Sequence, residues 1–285
     1  MADMLFNAKH DDELRVAILD NKQLTDLLLE ENASEQKKAN IYKAKVTRVE
    51  PSLEAAFVDF GQERHGFLPL KEISSEYFRQ GASKNDDQRQ PIKELVKEGQ
   101  TILVQVEKEE RGNKGAALST FISLAGSYLV LMPNNVRAGG ISRRIEGEDR
   151  DKLKETMSQL DIPKEMGVIV RTAGVGRSVE ELQWDLNYLL KLWNKISEAV
   201  EKADAPALIH RESDVAMRAL RDHFRSNIKQ IIIDDADLFK KVRDRIAVFQ
   251  PDFVDHVKLY KAKQPLFSKY AVESQIQSAF QREIR

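Results

Sequence analysis

The stretch from Gln36 to Leu70 constrains the fold of this chain more than any other part. It contains two short strand-like runs, Ile41 to Val49 and Ala55 to Phe60, in which successive residues face in alternate directions. A third run, from His65 to Leu70, follows a glycine turn. Strand-like runs this short and this closely spaced predict neighbouring strands of a small β-barrel.

Aromatic side chains recur along these runs. In a strand, residues two apart share a face, so Phe57 lies with Asp59 and His65 lies with Phe67. If the strands are neighbours, the two phenylalanine rings lie on one surface, near a rim of lysines at Lys37, Lys38, Lys43 and Lys45. Rings bordered by lysines are typical of a surface that stacks the bases of single-stranded nucleic acid. The alternative is that both rings belong to the core and the lysines form a solvated face, and the pattern alone favours that alternative.

Length and charge limit the classes of protein. With 285 residues, the chain is long enough for two or three domains of ~100 to 200 residues each. Its 45 basic and 46 acidic side chains give a net charge of -1, which argues against binding nucleic acid by bulk charge and leaves local basic patches.

The chain has no cysteine, which excludes disulfides and thiolate zinc sites within it. The amino-terminal residues lack an apolar segment of signal-peptide length, and no run approaches ~18 apolar residues. We therefore expect a soluble, cytoplasmic protein without membrane contact.

The two ends of the chain predict one α/β layer. Three strands are predicted at Met4 to Phe6, Leu14 to Asp20 and Gln23 to Leu29, and no helix follows to cover them. From residue 208 onward, strands and helices alternate, which is typical of a small α/β layer that is itself short of strands. The sequence therefore predicts that residues 1–35 pair with residues 217–280 across an inserted middle.

The middle of the chain contains one strong helix signal. Ser178 and Glu181 form a capping box, and an apolar face at helical spacing follows, with Pro206 as its limit. The polar segment from Ser74 to Pro91 predicts an exposed loop, and the run KEERGNK predicts a turn with Lys114 at its tip.

Candidate catalytic groups are few. Asp234 and Asp235 follow a predicted strand, as does Asp20, and carboxylates of this kind could hold Mg²⁺. The alternative is that Asp235 or Asp237 caps the next helix. The five histidines show no metal-ligand spacing, and no nucleophile has an activating neighbour.

A pocket for a terminal phosphate has more support. Arg143, Arg171 and Thr172 lie near glycine-rich turns, where guanidinium, hydroxyl and backbone N–H groups can bind an anion together. The alternative is that the arginines pair with nearby carboxylates on the surface, and pattern alone favours that alternative.

Several long blocks together identify a family. They are KKANIYKAKVTRVEPSLEAAFVDFG, ERHGFLPL, EERGNKGAALSTFISLAGSYLVLMPNN, RAGGISRRIEG and VRTAGVG. In these blocks, from about Met4 to Arg285, the chain resembles the amino-terminal part of bacterial enzymes of the ribonuclease E/G family. Small departures are Ala44, where the family usually has glycine, and a longer loop around residues 80–87.

The resemblance implies an α+β multidomain fold. A ribonuclease-H-like α/β subdomain, residues 1–35 plus 217–285, would be split by an inserted oligonucleotide-binding β-barrel at residues 36–120. An α+β region at residues 121–216 would sense the RNA 5′ end. In the family, the ribonuclease-H-like part is structural, which removes Asp234 and Asp235 as catalytic candidates and leaves no catalytic or metal-binding residue in this chain.

The resemblance also implies roles for particular residues. On the barrel, Phe57, Phe67 and Lys114 would contact RNA, which reverses the pattern-based preference for a core role of the two rings. The pocket for a 5′-monophosphate would be formed by Gly126, Val130, Arg171 and Thr172, with Arg143 nearby.

The activity implied by the resemblance is endonucleolytic cleavage of single-stranded AU-rich RNA with a 5′-monophosphate, in mRNA decay and in rRNA and tRNA processing. Mg²⁺ and Zn²⁺ would act in a later domain, and the full-length protein would be a homotetramer and degradosome scaffold that can reach the inner membrane surface. We expect this chain to bind RNA without cleaving it and without a cofactor of its own. The alternative is a non-catalytic RNA-binding or protein-docking module.

Overall fold

The fold is taken from a computed structural model, which describes residues 1–9, 13–31, 37–79, 91–112, 114–212, 214–224, 227–249 and 251–279. The chain divides into two compact units. One contains Met1–Glu35 and Ser213–Arg285, and the other contains Gln36–Glu212.

Fifteen strands and seven α-helices are found in the described residues. The strands are β1 (Ala2–Asn7), β2 (Glu13–Asp20), β3 (Gln23–Glu31), β4 (Ile41–Glu50), β5 (Ala55–Asp59), β6 (Gly66–Pro69), β7 (Thr101–Lys108), β8 (Ala117–Ser119), β9 (Leu124–Ala125), β10 (Leu129–Met132), β11 (Gly140–Ile141), β12 (Gly167–Val170), β13 (Ala207–His210), β14 (Ile228–Ile233) and β15 (Val257–Leu259). The helices are α1 (Ile92–Leu95), α2 (Gly147–Ser158), α3 (Val179–Lys202), α4 (Val215–His223), α5 (Ala236–Phe249), α6 (Leu266–Lys269) and α7 (Val272–Ala279).

The unit formed by the two ends of the chain contains one five-stranded sheet. Its strand order is β15-β14-β1-β2-β3, with β1 parallel to β14 and antiparallel to β2. The amino-terminal strands therefore pair with the carboxy-terminal segment, as their lack of a covering helix predicts.

Helices pack on both faces of this sheet, and side chains alternate along each strand, so successive residues are buried on opposite faces. Met4 and Phe6 pack with α4 and α5 on one face, and Leu5 packs with α6 and α7 on the other. This arrangement explains the continuous apolar runs Met4–Phe6 in β1 and Ile231–Ile233 in β14.

The second unit contains a closed five-stranded barrel. Strands β4, β5, β6, β8 and β7 follow one another around it, and pairing of β4 with β7 closes the ring. The interior is filled by aliphatic residues with Tyr42 and Phe60, whose rings meet edge to face at 5.1 Å between centroids. This is the small barrel that the alternating runs predict, and its topology is that of an oligonucleotide-binding fold.

A smaller sheet and two helices complete the second unit. The sheet has the order β11-β12-β10-β9, and α3 packs on it through a row of leucines. The Ser178 hydroxyl accepts a hydrogen bond from the Glu181 N–H, and the Glu181 side chain accepts one from the Ser178 N–H, so the capping box is confirmed. Beyond α3, strand β13 returns to pair with β4 of the barrel.

Three local predictions need correction. Ser74 is buried and its N–H donates to the Thr120 hydroxyl at 2.7 Å, so the predicted exposed loop begins later, and residues 80–90 lie outside the described residues. Helix α3 ends at Lys202, before Pro206. The sequence also predicts a helix from Tyr270 to Arg282. In the described residues this helix is α7, which begins at Val272 because Ala271 has a φ of 54°, and the short helix α6 precedes it.

Within the part of the chain that the structure describes, no helix has both the length and the apolar character that crossing a bilayer requires.

Candidate nucleic-acid interface

The two phenylalanine rings lie side by side on the outer face of the barrel. Phe57 in β5 and Phe67 in β6 are direct cross-strand partners, with ring centroids 6.0 Å apart and ring planes at 67°. Both side chains are half-buried, whereas the next residues along each strand, Val58 and Leu68, are fully buried. The rings therefore stand outside the barrel core, contrary to the pattern-based preference for a core role.

Arg48 extends this surface, although the sequence analysis did not single it out. Its guanidinium carbon lies 5.0 Å from the centre of the Phe57 ring, and the side chain forms an ion pair with Glu50 at 3.4 Å. The reason it was missed is a β-bulge between Val46 and Arg48. Strict alternation would put Arg48 on the same inward face as Val46, and the bulge reverses that orientation.

Lys114 lies beside the strand that carries Phe67. Reciprocal backbone hydrogen bonds of 3.1 Å close a turn between Arg111 and Lys114, so Lys114 is at the base of the turn and not at its tip. The following Gly115 lies so close to β6 that a Cβ there would be 2.2 Å from the His65 carbonyl oxygen. This close approach brings the backbone next to the exposed Lys114 close to His65, just before the start of β6.

The lysines predicted at the rim have different roles. Lys43 Nζ donates to the carbonyls of Val200 and Ala203 at 2.8 Å each, so it caps the carboxy-terminal end of α3, where a positive charge is favourable. Lys37 forms an ion pair with Glu110 at 3.0 Å. Lys38 and Lys45 are exposed. The prediction for Lys43 is therefore wrong.

The five residues expected around a terminal phosphate lie along one edge of the smaller sheet. Strands β11 and β12 are parallel, with Ile141 opposite Val170, so Arg143 and Arg171 both follow strand ends at the same edge. Thr172 comes next and is exposed. The structure thus brings the two arginines and the hydroxyl to one side of the sheet.

Gly126 and Val130 flank the turn that faces this edge. The Arg171 side chain donates to the Gly126 carbonyl at 2.5 Å, and the Arg171 N–H donates to the Tyr128 carbonyl at 2.8 Å. Val130 is half-buried in β10, opposite Ile169 of β12. Arg171 is therefore fixed to the turn between β9 and β10 through both its side chain and its backbone.

A buried carboxylate holds this turn in place. Asp185 of α3 is 1% exposed, and it accepts hydrogen bonds from the N–H groups of Ser127, Tyr128 and Leu129 at 3.1, 2.9 and 2.9 Å. Burial raises the pKa of Asp185, while these N–H groups and the nearby Arg171 oppose that rise. The sequence analysis missed Asp185, although an acidic residue three positions after Leu182, within the apolar face of the helix, was a detectable signal.

Gly126 is required by the same arrangement. A Cβ at this position would be 2.5 Å from one Asp185 carboxylate oxygen and 2.7 Å from the other. A glycine here therefore allows the carboxylate to reach the three N–H groups of the turn.

Asp234 and Asp235 are both engaged in structural hydrogen bonds. Asp234 accepts from the Asn7 side chain at 2.5 Å and from the Ala8 N–H at 2.7 Å. Asp235 accepts from the Leu238 N–H at 2.7 Å and so caps α5, as the alternative interpretation predicts. Among the described residues, no group of three or more histidine, aspartate or glutamate side chains is arranged to hold a metal ion.

Two domain families match the chain. Residues 35–121 match the S1 RNA binding domain, and residues 123–285 match the Ribonuclease E/G family. The chain belongs to the ribonuclease E/G family. This confirms the resemblance seen in the sequence blocks, and the S1 match coincides with the closed barrel.

Individual relatives agree with this assignment. The chain is 60% identical to ribonuclease E of Haemophilus influenzae over 289 residues, covering 100% of this chain and 30% of that protein. It is 60% identical to ribonuclease E of Escherichia coli over 286 residues, covering 100% of this chain and 27% of that protein. Ribonuclease G of Haemophilus influenzae is 37% identical over 275 residues, covering 95% of this chain and 55% of that protein. The chain thus spans less than a third of the length of these two ribonucleases E.

Proposed function

We propose that this chain is the RNA-binding and 5′-end-recognising part of a larger endoribonuclease that acts on single-stranded RNA. The observation that carries the proposal is the position of Phe57 and Phe67, which lie together outside the core of an S1 barrel. The match to the ribonuclease E/G family over residues 123–285 supports the connection to RNA cleavage.

In this proposal, the outer face of the barrel grips an unpaired strand. Bases stack on the rings of Phe57 and Phe67, because every base offers a π-face of similar kind. Arg48, beside the Phe57 ring, and Lys114, beside β6, contact backbone phosphates.

The edge of the smaller sheet binds the 5′-monophosphate. The turn N–H groups of residues 127–129 already donate to Asp185, so the side chains of Arg143, Arg171 and Thr172 supply the contacts to the phosphate. A guanidinium can donate two parallel hydrogen bonds to phosphate oxygens, and the threonine hydroxyl adds a third donor. Gly126 and Val130 shape the wall of this pocket.

The remaining assignments follow the same proposal. Residues 1–35 and 217–285 form a ribonuclease-H-like subdomain, residues 36–120 form the barrel and residues 121–216 form the 5′-sensor region. The strand order of the five-stranded sheet and the two compact units support this division.

We assign hydrolysis, Mg²⁺, Zn²⁺, tetramer formation and degradosome scaffolding to parts of the longer relatives outside the matched region. The carboxylates of Asp234 and Asp235 do not fit a Mg²⁺ site, because hydrogen bonds to Asn7, Ala8 and Leu238 already occupy them. We therefore derive no catalytic step from residues of this chain.

The proposal is tested with a pair of oligonucleotides that differ only at the 5′ end. We expect this chain to bind an unstructured RNA with a 5′-monophosphate more tightly than the same RNA with a 5′-hydroxyl. Replacing Thr172 with valine keeps the shape of an exposed side chain and removes the hydroxyl, so the preference should fall by about ten-fold, the effect of losing one hydrogen bond to a charged group.

The matched control is Thr101→Val, an exposed threonine at the start of β7. It should leave both affinities unchanged. Equal affinity of the unmodified chain for both oligonucleotides would refute the 5′-end role. Absence of RNA binding altogether would favour the protein-docking alternative.

A further inference from the structure

The bulge in β4 leaves Thr47 without a cross-strand partner. In the ladder with β5, Val46 lies opposite Val58 and Arg48 lies opposite Phe57, so Thr47 is the extra residue. Its hydroxyl donates to the Phe57 carbonyl at 3.1 Å. The bulge thus directs a hydroxyl to the backbone of the residue that carries one of the two stacking rings.

The same hydroxyl oxygen lies 3.1 Å from Nδ1 of His65. A threonine hydroxyl has one proton to donate and two lone pairs to accept with. Because that proton is directed at the Phe57 carbonyl, the contact with His65 requires the proton on Nδ1. The reverse assignment would put the Thr47 oxygen and the Phe57 carbonyl oxygen 3.1 Å apart with no proton between them.

A neutral imidazole that carries its proton on Nδ1 has Nε2 as an acceptor. His65 is exposed, and in the described part of the chain its Nε2 has no hydrogen-bonding or ion-pair partner. The close approach of Gly115 fixes the backbone of His65, and Thr47 fixes its ring. The result is a fixed acceptor at the edge of the Phe57 and Phe67 surface.

We propose that His65 is a specificity-determining residue of the RNA surface and that its Nε2 accepts a hydrogen bond from a neutral donor group of a bound nucleotide. The inference depends on the proposed RNA-binding role of the barrel. Three kinds of donor group fit this chemistry: the ribose 2′-hydroxyl, the exocyclic amine of adenine, cytosine or guanine, and the ring N–H of uracil or guanine. Phosphate and base carbonyl oxygens do not fit, because they have no proton to donate. Thr47 is the positioning residue that sets the tautomer.

The first test measures affinity for four oligonucleotides of about ten nucleotides, the length that one such barrel covers. They are oligo-A and oligo-U, each made with ribose and with deoxyribose. Replacement of His65 by leucine should weaken binding by about three- to ten-fold, the net value of one hydrogen bond. Loss confined to the two ribose strands identifies the 2′-hydroxyl, loss confined to the two adenine strands identifies the exocyclic amine, and loss confined to the two uracil strands identifies the ring N–H.

The conservative variant is His65→Gln, whose side-chain oxygen can replace Nε2 as an acceptor. It should restore most of the affinity that leucine removes. An equal loss on all four oligonucleotides, or no loss on any, would overturn the proposal. These outcomes are distinct from failure of the proposed function, in which the unmodified chain would not bind any of the four strands.

The second test reads the tautomer directly. Long-range proton–nitrogen correlation of the neutral imidazole should show the His65 proton on Nδ1 in the RNA-free protein. Replacement of Thr47 by valine should shift the population to the Nε2–H form and reproduce the selectivity change of His65→Leu. A proton found on Nε2 in the unmodified protein would contradict the assignment.

Discussion

The two regions proposed to contact RNA are built in opposite ways. The barrel surface is formed by Phe57 and Phe67, and the end pocket is formed by Arg143, Arg171 and Thr172 near the turn at residues 127–129. On the barrel, Phe57 and Phe67, the residues proposed to contact RNA, point outward from strands whose inner residues form the core, so the surface is separate from the packing that supports it. In the end pocket, the turn that holds Arg171 is itself organised by Asp185, a buried charge in α3. Function can therefore be removed from the barrel without unfolding it, whereas the pocket and its fold depend on the same atoms.

The largest effect is expected from Asp185→Ala. Three N–H groups of the turn would lose their acceptor in a buried site, and each unpaired group costs about 1–3 kcal/mol. We expect the free energy of unfolding to fall by at least about 3 kcal/mol, measured by urea denaturation. The control is Asp151→Ala, which removes an exposed carboxylate paired with Lys154 at 2.7 Å and should leave the urea midpoint essentially unchanged. Similar values for the two variants would break the comparison.

The next largest effect is expected on the barrel, where some substitutions should change RNA affinity and others should change stability. Alanine at Phe57 or Phe67 should weaken binding of an unstructured RNA by about 1–3 kcal/mol, because a stacking ring is lost. The matched control is Phe78→Ala, a half-buried phenylalanine that packs against the barrel core. It should reduce the urea midpoint while leaving RNA affinity unchanged. A loss of affinity at Phe78 equal to that at Phe57 would show that stacking is not the cause.

The sequence predicted the strands that carry the barrel surface and the helix that packs on the smaller sheet, because alternation and the capping box are local signals. The two-residue period gave the face of each ring within its own strand, and Phe57 and Phe67 were placed on one surface on the condition that the two strands are neighbours. Local pattern could not decide whether that face was inside or outside, because this depends on how the barrel closes through β4 and β7. The family resemblance supplied that choice.

Two features escaped sequence reasoning for physical reasons. Arg48 was missed because a one-residue bulge changes the direction of every side chain after it. Lys43 was assigned to the RNA surface because its two carbonyl partners lie 157 and 160 residues away in sequence. Both errors occur where tertiary structure overrides a local period.

Lys43 and Lys45 allow a direct comparison of two lysines that are two residues apart in β4. Lys43→Met removes the cap of α3 and should lower stability by about 1 kcal/mol without changing RNA affinity. Lys45→Met should leave stability unchanged. If Lys45 contacts a phosphate, its loss should reduce the slope of log affinity against log salt by about 1. A salt slope equal to that of the unmodified chain in both variants would mean that neither lysine contacts a phosphate.

The smallest effect is the pH dependence that Asp185 contributes to stability. Its pKa is raised by burial, so between the unfolded value, ~3.9, and the higher folded value the folded state holds more of the proton. Stability from this group is therefore greatest below about pH 4 and declines as the pH rises through the folded pKa. Urea midpoints of the unmodified chain and of Asp185→Asn, compared over a series of pH values, isolate this contribution because the other carboxylates cancel.

The pH dependence of the stability difference between the unmodified chain and Asp185→Asn shows whether the ionised Asp185 carboxylate destabilises or stabilises the end pocket. A stability difference that falls with rising pH means that removal from water outweighs the three N–H bonds and Arg171. A difference that rises with pH would mean that these partners more than compensate for burial, and the pocket would then gain stability from the charge, as a surface site does. In that case the end pocket would differ from the barrel surface only in being buried, because its charge would not lower its stability.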